Sequence, residues 1–278
     1  MIVKELELQL DYEKAGLPTP AVAPRFTGFI PKNYKEYCDG RRRPAVLVLP
    51  GGGYCVTSER EATPIALEFL SCGAAAFVLH YSVAPDRFPT SLCQVYAAIR
   101  QIRDNADEWN IDPDRISGIG FSAGGHLAAS SGVLWNSEVA KYCGFADGRH
   151  KPNGMILCYP VITGGEKAHR GSFDNLLGEN ASAGKVDYLS LEKRVDSDTP
   201  RAFIWHTFED NCVPVENSLL FASALVKNGI STELHIYPHG WHGMRLENDV
   251  LYKDGALPDS VKKAGTWVAL AKEWLMKG

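Results

Sequence analysis

The chain has 278 residues, 45% of them apolar, which is enough material for one large α/β domain around a hydrophobic core. Twenty-nine Lys and Arg against 33 Asp and Glu leave a formal charge of -4, and no basic run exceeds Arg41-Arg42-Arg43; both features argue against a nucleic-acid groove or an anionic membrane footprint. No apolar stretch approaches the roughly 20 residues that span a bilayer, and seven scattered cysteines without a C-x-x-C spacing read as reduced thiols in a cytoplasmic protein.

In chain order, residues 1–10 alternate apolar and polar, as a strand with one solvated face does, and lack the apolar run of a signal peptide. The proline-rich stretch 17–25 leads to a second expected edge strand at 26–30. The pattern then changes to continuous apolar runs at 45–49, 75–79, 116–120, 155–159, 202–206 and 233–237, as expected of strands covered on both faces. Helix signals fall between them. Thr63-Pro64 predicts an N-cap and a first-turn proline for a helix ending near Gly73, with a competing capping box at Ser58-x-x-Glu61. Ser91-x-x-Gln94 predicts a helix with Val95, Ala98, Ile99 and Ile102 on one face. Leu219, Ala222 and Val226 are expected to form the buried stripe of a helix over 215–227, and Val261, Ala264, Val268, Ala271 and Leu275 that of a closing helix. This alternation predicts a mainly parallel central sheet with helices on both faces, an α/β fold whose function gathers at the carboxyl ends of the strands. The polar segment 163–199, with short helical hints, departs from the alternation and reads as a small cap within one domain spanning 1–278.

The chemistry centres on Gly120-Phe121-Ser122-Ala123-Gly124, which fits G-x-S-x-G between a strand and a helix. The overlapping G-x-G-x-x-A reading, a dinucleotide site, normally follows the first strand of its domain, and here other elements come first. A serine hydroxyl needs a base and a group to orient that base. Asp210 beyond the 202–206 run and His242 beyond the 233–237 run are the expected acid and base, ahead of Glu209 and His239. The order Ser122, Asp210, His242 is that of an α/β-hydrolase. His80 and His206 read as satisfied core or rim residues, His126 as a packing group one turn after the serine, and His150 and His169 as surface residues. Gly52 and Gly53, in Pro50-Gly51-Gly52-Gly53-Tyr54, and the amide of Ala123 are the expected oxyanion donors. Tyr54, Trp205 and Trp241 are expected pocket walls. No H-E-x-x-H or Cys/His cluster points to a metal, and no cofactor is expected.

Taken together, Pro50-Gly51-Gly52-Gly53-Tyr54, Ser58-Glu59-Arg60-Glu61-Ala62, the segment from Gly120 to Ala128, Asn175-Leu176-Leu177-Gly178, residues 205–218 and Gly240-Trp241-His242-Gly243 resemble the α/β-hydrolase esterases known as carbohydrate or xylan acetyl esterases, relatives of the hormone-sensitive-lipase-like group. Proline stands at position 50 where lipases of the wider group carry histidine in H-G-G-G; backbone donors need no histidine side chain. The resemblance implies a serine esterase acting on a small-molecule ester with a short acyl group, such as an acetylated sugar. The residues alone argue for acyl transfer to water. They leave open a lipase, an aminopeptidase, a lactonase, a formamidase or a catalytically silent binding module.

Overall fold

Eight strands form one sheet in a computed structural model that describes residues 1–36, 39–246 and 258–277; the expected thiol at Cys38 lies outside the described residues. The strands are β1 (Ile2–Leu6), β2 (Arg25–Ile30), β3 (Arg43–Leu49), β4 (Ala75–His80), β5 (Ile111–Phe121), β6 (Gly154–Cys158), β7 (Arg201–Thr207) and β8 (Thr232–Tyr237), in the spatial order β1-β2-β4-β3-β5-β6-β7-β8. β1 and β2 pair antiparallel to each other, and β2 antiparallel to β4; every other pairing is parallel. The two antiparallel strands sit on one side, as their alternating pattern predicts, and the apolar runs make the parallel remainder.

The helices are α1 (Thr63–Ser71), α2 (Thr90–Asp104), α3 (Ala106–Trp109), α4 (Ala123–Val133), α5 (Glu138–Tyr142), α6 (Arg170–Leu177), α7 (Ala183–Tyr188), α8 (Glu216–Lys227), α9 (Asp259–Lys262) and α10 (Trp267–Lys277). They cover both faces of the sheet. Leu47, Leu49, Phe77 and Leu79 point to a core shared with α2, α4 and α8, while Val46, Val48, Ala76 and Val78 point to a second core shared with α1 and α10. That split is the period-two alternation of strand side chains, with both faces apolar because both are covered.

Several details differ from expectation. β5 begins five residues before the apolar run, and its pairing with β3 shifts register between Arg43 and Ala45, an irregularity that accommodates Pro113. In α8 the buried side chains are Asn217, Ser218, Phe221, Ala222 and Leu225, whereas Leu219 and Val226 are 45% and 68% exposed. The helix is rotated from the expected stripe because Asn217 and Ser218 bury their polar groups against Ile162, Thr163 and His206. No side-chain cap bond forms at Ser58 or Ala62; Glu61 turns inward instead, with consequences described below.

Segment 163–199 contains α6, α7 and a 3-10 turn at Leu191–Lys193. It is stitched to the parallel core by Leu191 N donating to Ile162 O at 3.2 Å, Phe88 N donating to Leu176 O at 2.9 Å, and Asn175 Nδ2 donating to Gly53 O at 2.8 Å.

Candidate active site

The carboxyl ends of β3, β5, β7 and β8 converge on one cleft. At the end of β5, Ser122 takes φ 53° and ψ -118°, a backbone conformation that L residues rarely adopt. Such strain costs about 1–3 kcal/mol and persists only where surroundings over-determine it. Here Ser122 N donates to Cys158 O at 3.0 Å, and Ser122 O accepts from His126 N and Val161 N, each at 3.1 Å. Glycine is required on both sides of the serine. A Cβ on Gly120 would lie 2.1 Å from Gly124 O, and one on Gly124 would lie 2.1 Å from Leu49 O. The strand, the turn and α4 therefore pack at backbone distance, and the serine side chain projects into the cleft.

His242 Nε2 lies 2.8 Å from Ser122 Oγ, and His242 Nδ1 lies 2.6 Å from Asp210 Oδ2. The carboxylate places the ring proton on Nδ1, leaving Nε2 to accept from the serine hydroxyl. The imidazole packs edge-on against Tyr159 with centroids 5.1 Å apart. Its loop depends on Gly240, whose φ is 139° and whose Cβ position would meet Thr207 Cγ2 at 2.7 Å.

Asp210 is held from two sides. Its Oδ1 accepts from the amides of Cys212 and Val213, both at 2.9 Å, and its Oδ2 faces both His242 and, at 3.2 Å, His206 Nε2. Burial alone would push this carboxyl up; hydrogen bonds from His206 and His242, His242's charge and the Val213 amide overcome it and hold the group well below the usual carboxylate range. The rival pair behaves differently. Glu209 Oε1 lies 2.9 Å from His239 Nδ1, and both side chains are exposed, about half accessible to solvent.

Beyond β3, Gly52 and Gly53 take φ 133° and 63°, followed by Tyr54 at 58°. Gly52 O accepts from Cys55 N and Val56 N at 3.0 and 3.2 Å, closing the turn. Among the described residues the amides of Gly52, Gly53 and Ala123 have no acceptor, and the last opens α4, where the helix dipole favours negative charge. Gly52, Gly53, Ser122 and His242 line one cleft of about 470 Å³ whose other walls include Glu59, Arg60, His169 and Arg245. A larger cavity of about 610 Å³, lined by Phe88, Val139, Tyr188 and Leu189 among others, has no histidine or carboxylate in its walls, so chemistry favours the smaller space. Among the described residues no group of three or more His, Cys, Asp or Glu could hold a metal ion.

The three aromatic residues expected as walls lie elsewhere. Tyr54 is 2% exposed, and its hydroxyl meets His126 Nδ1 at 2.9 Å. Trp205 is fully buried, stacked on Trp267 at 5.2 Å. Trp241 is exposed and stands outside the residues lining the cleft. A large ring next to a motif serves a core as well as a pocket, and here two of the three went to the core.

Four residues join the site that local patterns did not assign to it. His206 braces Asp210. Its Nε2 also lies 2.9 Å from Val213 O and its Nδ1 2.8 Å from Ser218 Oγ, so Nε2 carries the proton and Nδ1 accepts from the hydroxyl. His169, expected at the surface, lines the cleft from the 163–199 segment; burial and then the charge of His242 push its imidazole down from the ordinary value. Glu61 and Tyr159 bridge two loops. For His206 and Tyr159 the available signal was chain position, at or just past the end of a parallel strand; Glu61 and His169 carry no such signal.

Residues 33–225 match the BD-FAE family model. The chain is 39% identical over 264 residues to the endo-1,4-beta-xylanase B of Butyrivibrio fibrisolvens, covering 87% of this chain and 41% of that protein. It is 33% identical over 230 residues to the acetylxylan esterase of Xylanibacter ruminicola, covering 81% and 45% respectively. The chain thus spans less than half the length of these two relatives. Among solved structures, an acetyl ester-xyloside bifunctional hydrolase from Caldicellulosiruptor lactoaceticus superposes with a TM-score of 0.84 at 38% identity, covering 99% of this chain and 96% of that one. A G-x-S-x-G turn after a central parallel strand, an aspartate and a histidine on later loops and a match over most of the sequence lead to one conclusion: the chain belongs to the BD-FAE family and has the α/β-hydrolase fold.

Proposed function

We propose that the protein is a serine carboxylesterase that removes short acyl groups, acetyl foremost, from the hydroxyls of sugars or xylo-oligosaccharides. The observation that carries this reading is the unbroken relay from Ser122 Oγ to His242 at 2.8 Å and on to Asp210 at 2.6 Å, opening on a cleft. His242 takes the proton of Ser122 as Oγ attacks the ester carbonyl, and Asp210 stabilises the imidazolium. The amides of Gly52, Gly53 and Ala123 hold the oxyanion; each such donor is typically worth about 3–4 kcal/mol. Collapse of the tetrahedral intermediate breaks the bond to the alcohol, which leaves with the proton from His242. Water, deprotonated by the same imidazole, then releases the carboxylic acid and restores the serine.

The sugar preference is supported by relatives named for xylan chemistry and by cleft walls rich in polar side chains, which suit a polyol better than a long acyl tail. Segment 163–199 acts as a cap, since His169 reaches the cleft from it. The six described cysteines are free, which fits work in a reducing compartment such as the cytoplasm.

The test is hydrolysis of p-nitrophenyl acetate and of acetylated xylo-oligosaccharides by the parent and Ser122→Ala. The variant is expected to lose activity by several orders of magnitude and to escape labelling by a fluorophosphonate. Parental turnover by folded Ser122→Ala would end the mechanism. Faster turnover of octanoate than acetate would favour a lipase instead.

A further inference from the structure

Glu61 is only 4% exposed and carries a carboxyl group that makes no hydrogen bond to Ser122, His242 or Asp210. A buried carboxylate is costly unless its oxygens are satisfied. Both are. Oε2 accepts from the amide of Gly51 at 2.8 Å, and Oε1 accepts from the hydroxyl of Tyr159 at 2.8 Å. Burial and the charge of Glu61 push the Tyr159 phenol well above its ordinary range, so this hydroxyl stays a donor.

The two donors come from separate parts of the chain, each next to a residue that lines the cleft or in contact with one. Gly51 begins the glycine loop, and there is no room for a side chain at its position. A Cβ at Gly51 would lie 2.7 Å from Phe121 O, 2.8 Å from Glu61 Oε2 and 3.1 Å from Ser122 Cβ. Tyr159 ends β6 with φ 37°, packs its ring edge-on against His242, and accepts from the amide of Arg245 at 3.3 Å through the same hydroxyl that donates to Glu61. One carboxylate is therefore one hydrogen bond from the oxyanion loop and two from the loop that carries the imidazole.

We propose that Glu61 is a positioning residue that sets the oxyanion loop, through Gly51, and the His242 loop, through Tyr159, relative to each other. The proposal rests on the serine-esterase reading above. Its physical content is that proton transfer and oxyanion stabilisation must act on one carbonyl at once, so the distance between the two loops matters more to the transition state than to substrate binding.

Steady-state hydrolysis of p-nitrophenyl acetate by Glu61→Ala, Glu61→Gln, Tyr159→Phe and the Glu61→Ala/Tyr159→Phe double variant tests this, with circular dichroism to verify folding and Ser122→Ala run alongside. Glu61→Ala is expected to lower kcat about 100-fold, the typical cost of a small misplacement of reacting groups, with KM close to the parent's. In Glu61→Gln one amide oxygen can serve Gly51 while the NH2 group donates to the Tyr159 oxygen, a partial rescue that leaves kcat about tenfold below the parent. The double variant is expected to be no slower than Glu61→Ala, because both changes cut the same link. Should Glu61→Ala fail to fold, Glu61→Gln decides the matter by its kcat. Parental kcat in either folded Glu61 variant, or a loss confined to KM, would overturn the proposal. If Ser122→Ala is silent while Glu61 variants run at the parental rate, only this assignment falls; if Ser122→Ala keeps turning over, the esterase reading itself falls.

Discussion

His206 and Asp210 are buried together, with Nε2 of the imidazole 3.2 Å from Oδ2 of the carboxylate that also faces His242. His206 thus shares the oxygen that meets His242 Nδ1, while the hydroxyl of Ser218 and the carbonyl of Val213 lock its own ring. Replacing it by alanine removes a donor from Asp210 and strands two buried groups. His206→Ala is expected to destabilise the fold by about 1–3 kcal/mol. It should also lower kcat, as the carboxylate gains freedom to rotate. A denaturant midpoint and kcat for p-nitrophenyl acetate check the two effects separately.

The neighbouring acids give a sharper contrast. Asp210→Asn keeps the shape but can present its amide to His242, favouring the wrong tautomer, and such a change costs about 10⁴-fold in kcat in serine hydrolases. Glu209→Gln alters only the exposed contact with His239 and the Gly240 amide at 3.3 Å. Its kcat is expected to stay within about threefold of the parent's, since exposed ion pairs contribute little. A large loss in Glu209→Gln with near-parental kcat in Asp210→Asn would move the acid's role to Glu209.

Two glycines of the loop after β3 should respond differently to alanine if that loop holds the oxyanion as proposed. At Gly52 a methyl group would meet Val56 O at 2.2 Å, and the backbone φ of 133° is one that L residues avoid. Gly52→Ala must displace the loop, and activity is expected to fall about 100-fold or more as a donor is lost. At Gly53 the nearest atom to such a methyl is Ser172 Oγ at 4.0 Å, and only the φ of 63° resists. Gly53→Ala is expected to cost about 1–2 kcal/mol of stability and less activity. Melting temperature and kcat measured on both variants separate backbone strain from lost catalysis.

Acid should loosen the fold through His126. Burial lowers this imidazole from the ordinary 6.5 to about 4, against the raising effect of its hydrogen bond to Leu189 O. Its Nδ1 accepts from Tyr54 and its Nε2–H donates to Leu189 O, so the neutral ring joins α4, the glycine loop and the segment after α7. The unfolded chain takes up a proton near pH 6.5 and the folded chain does not until about pH 4. The contribution is therefore complete above pH 6.5 and is lost as pH falls toward 4, by about 3 kcal/mol in all. Urea unfolding at pH 7 and pH 4.5 measures the loss, and His126→Gln, which cannot take up that proton, should show a shallower slope.

Elements covered on both faces were legible because burial writes itself into composition: the runs at 45–49, 75–79 and 202–206 are all strands. The meeting of Ser122, Asp210 and His242 was legible because each stands just beyond such a run, where a parallel sheet delivers its loops to one edge. Glu61 was not. Its spacing from Ser58 also fits a helix cap, and nothing local says that the carboxyl bonds instead to Tyr159, 98 residues further on. His206 looked like a satisfied core histidine, which it is, but one of its partners is Asp210, whose Oδ2 also faces His242. The tilt of α8 was hidden for a related reason: polar Asn217 and Ser218 are buried by partners from distant loops, so the apolar stripe alone misjudged which side faces inward.

The bond from Asn175 Nδ2 to Gly53 O links two tasks that evolution would otherwise tune apart. On the proposed esterase reading, a lineage that rebuilt the stretch around α6 to admit a different alcohol would also disturb the Gly53 peptide, next to the proposed oxyanion donors. New selectivity in this scaffold is therefore expected to arrive with slower turnover, and then to require compensating change at a second locus.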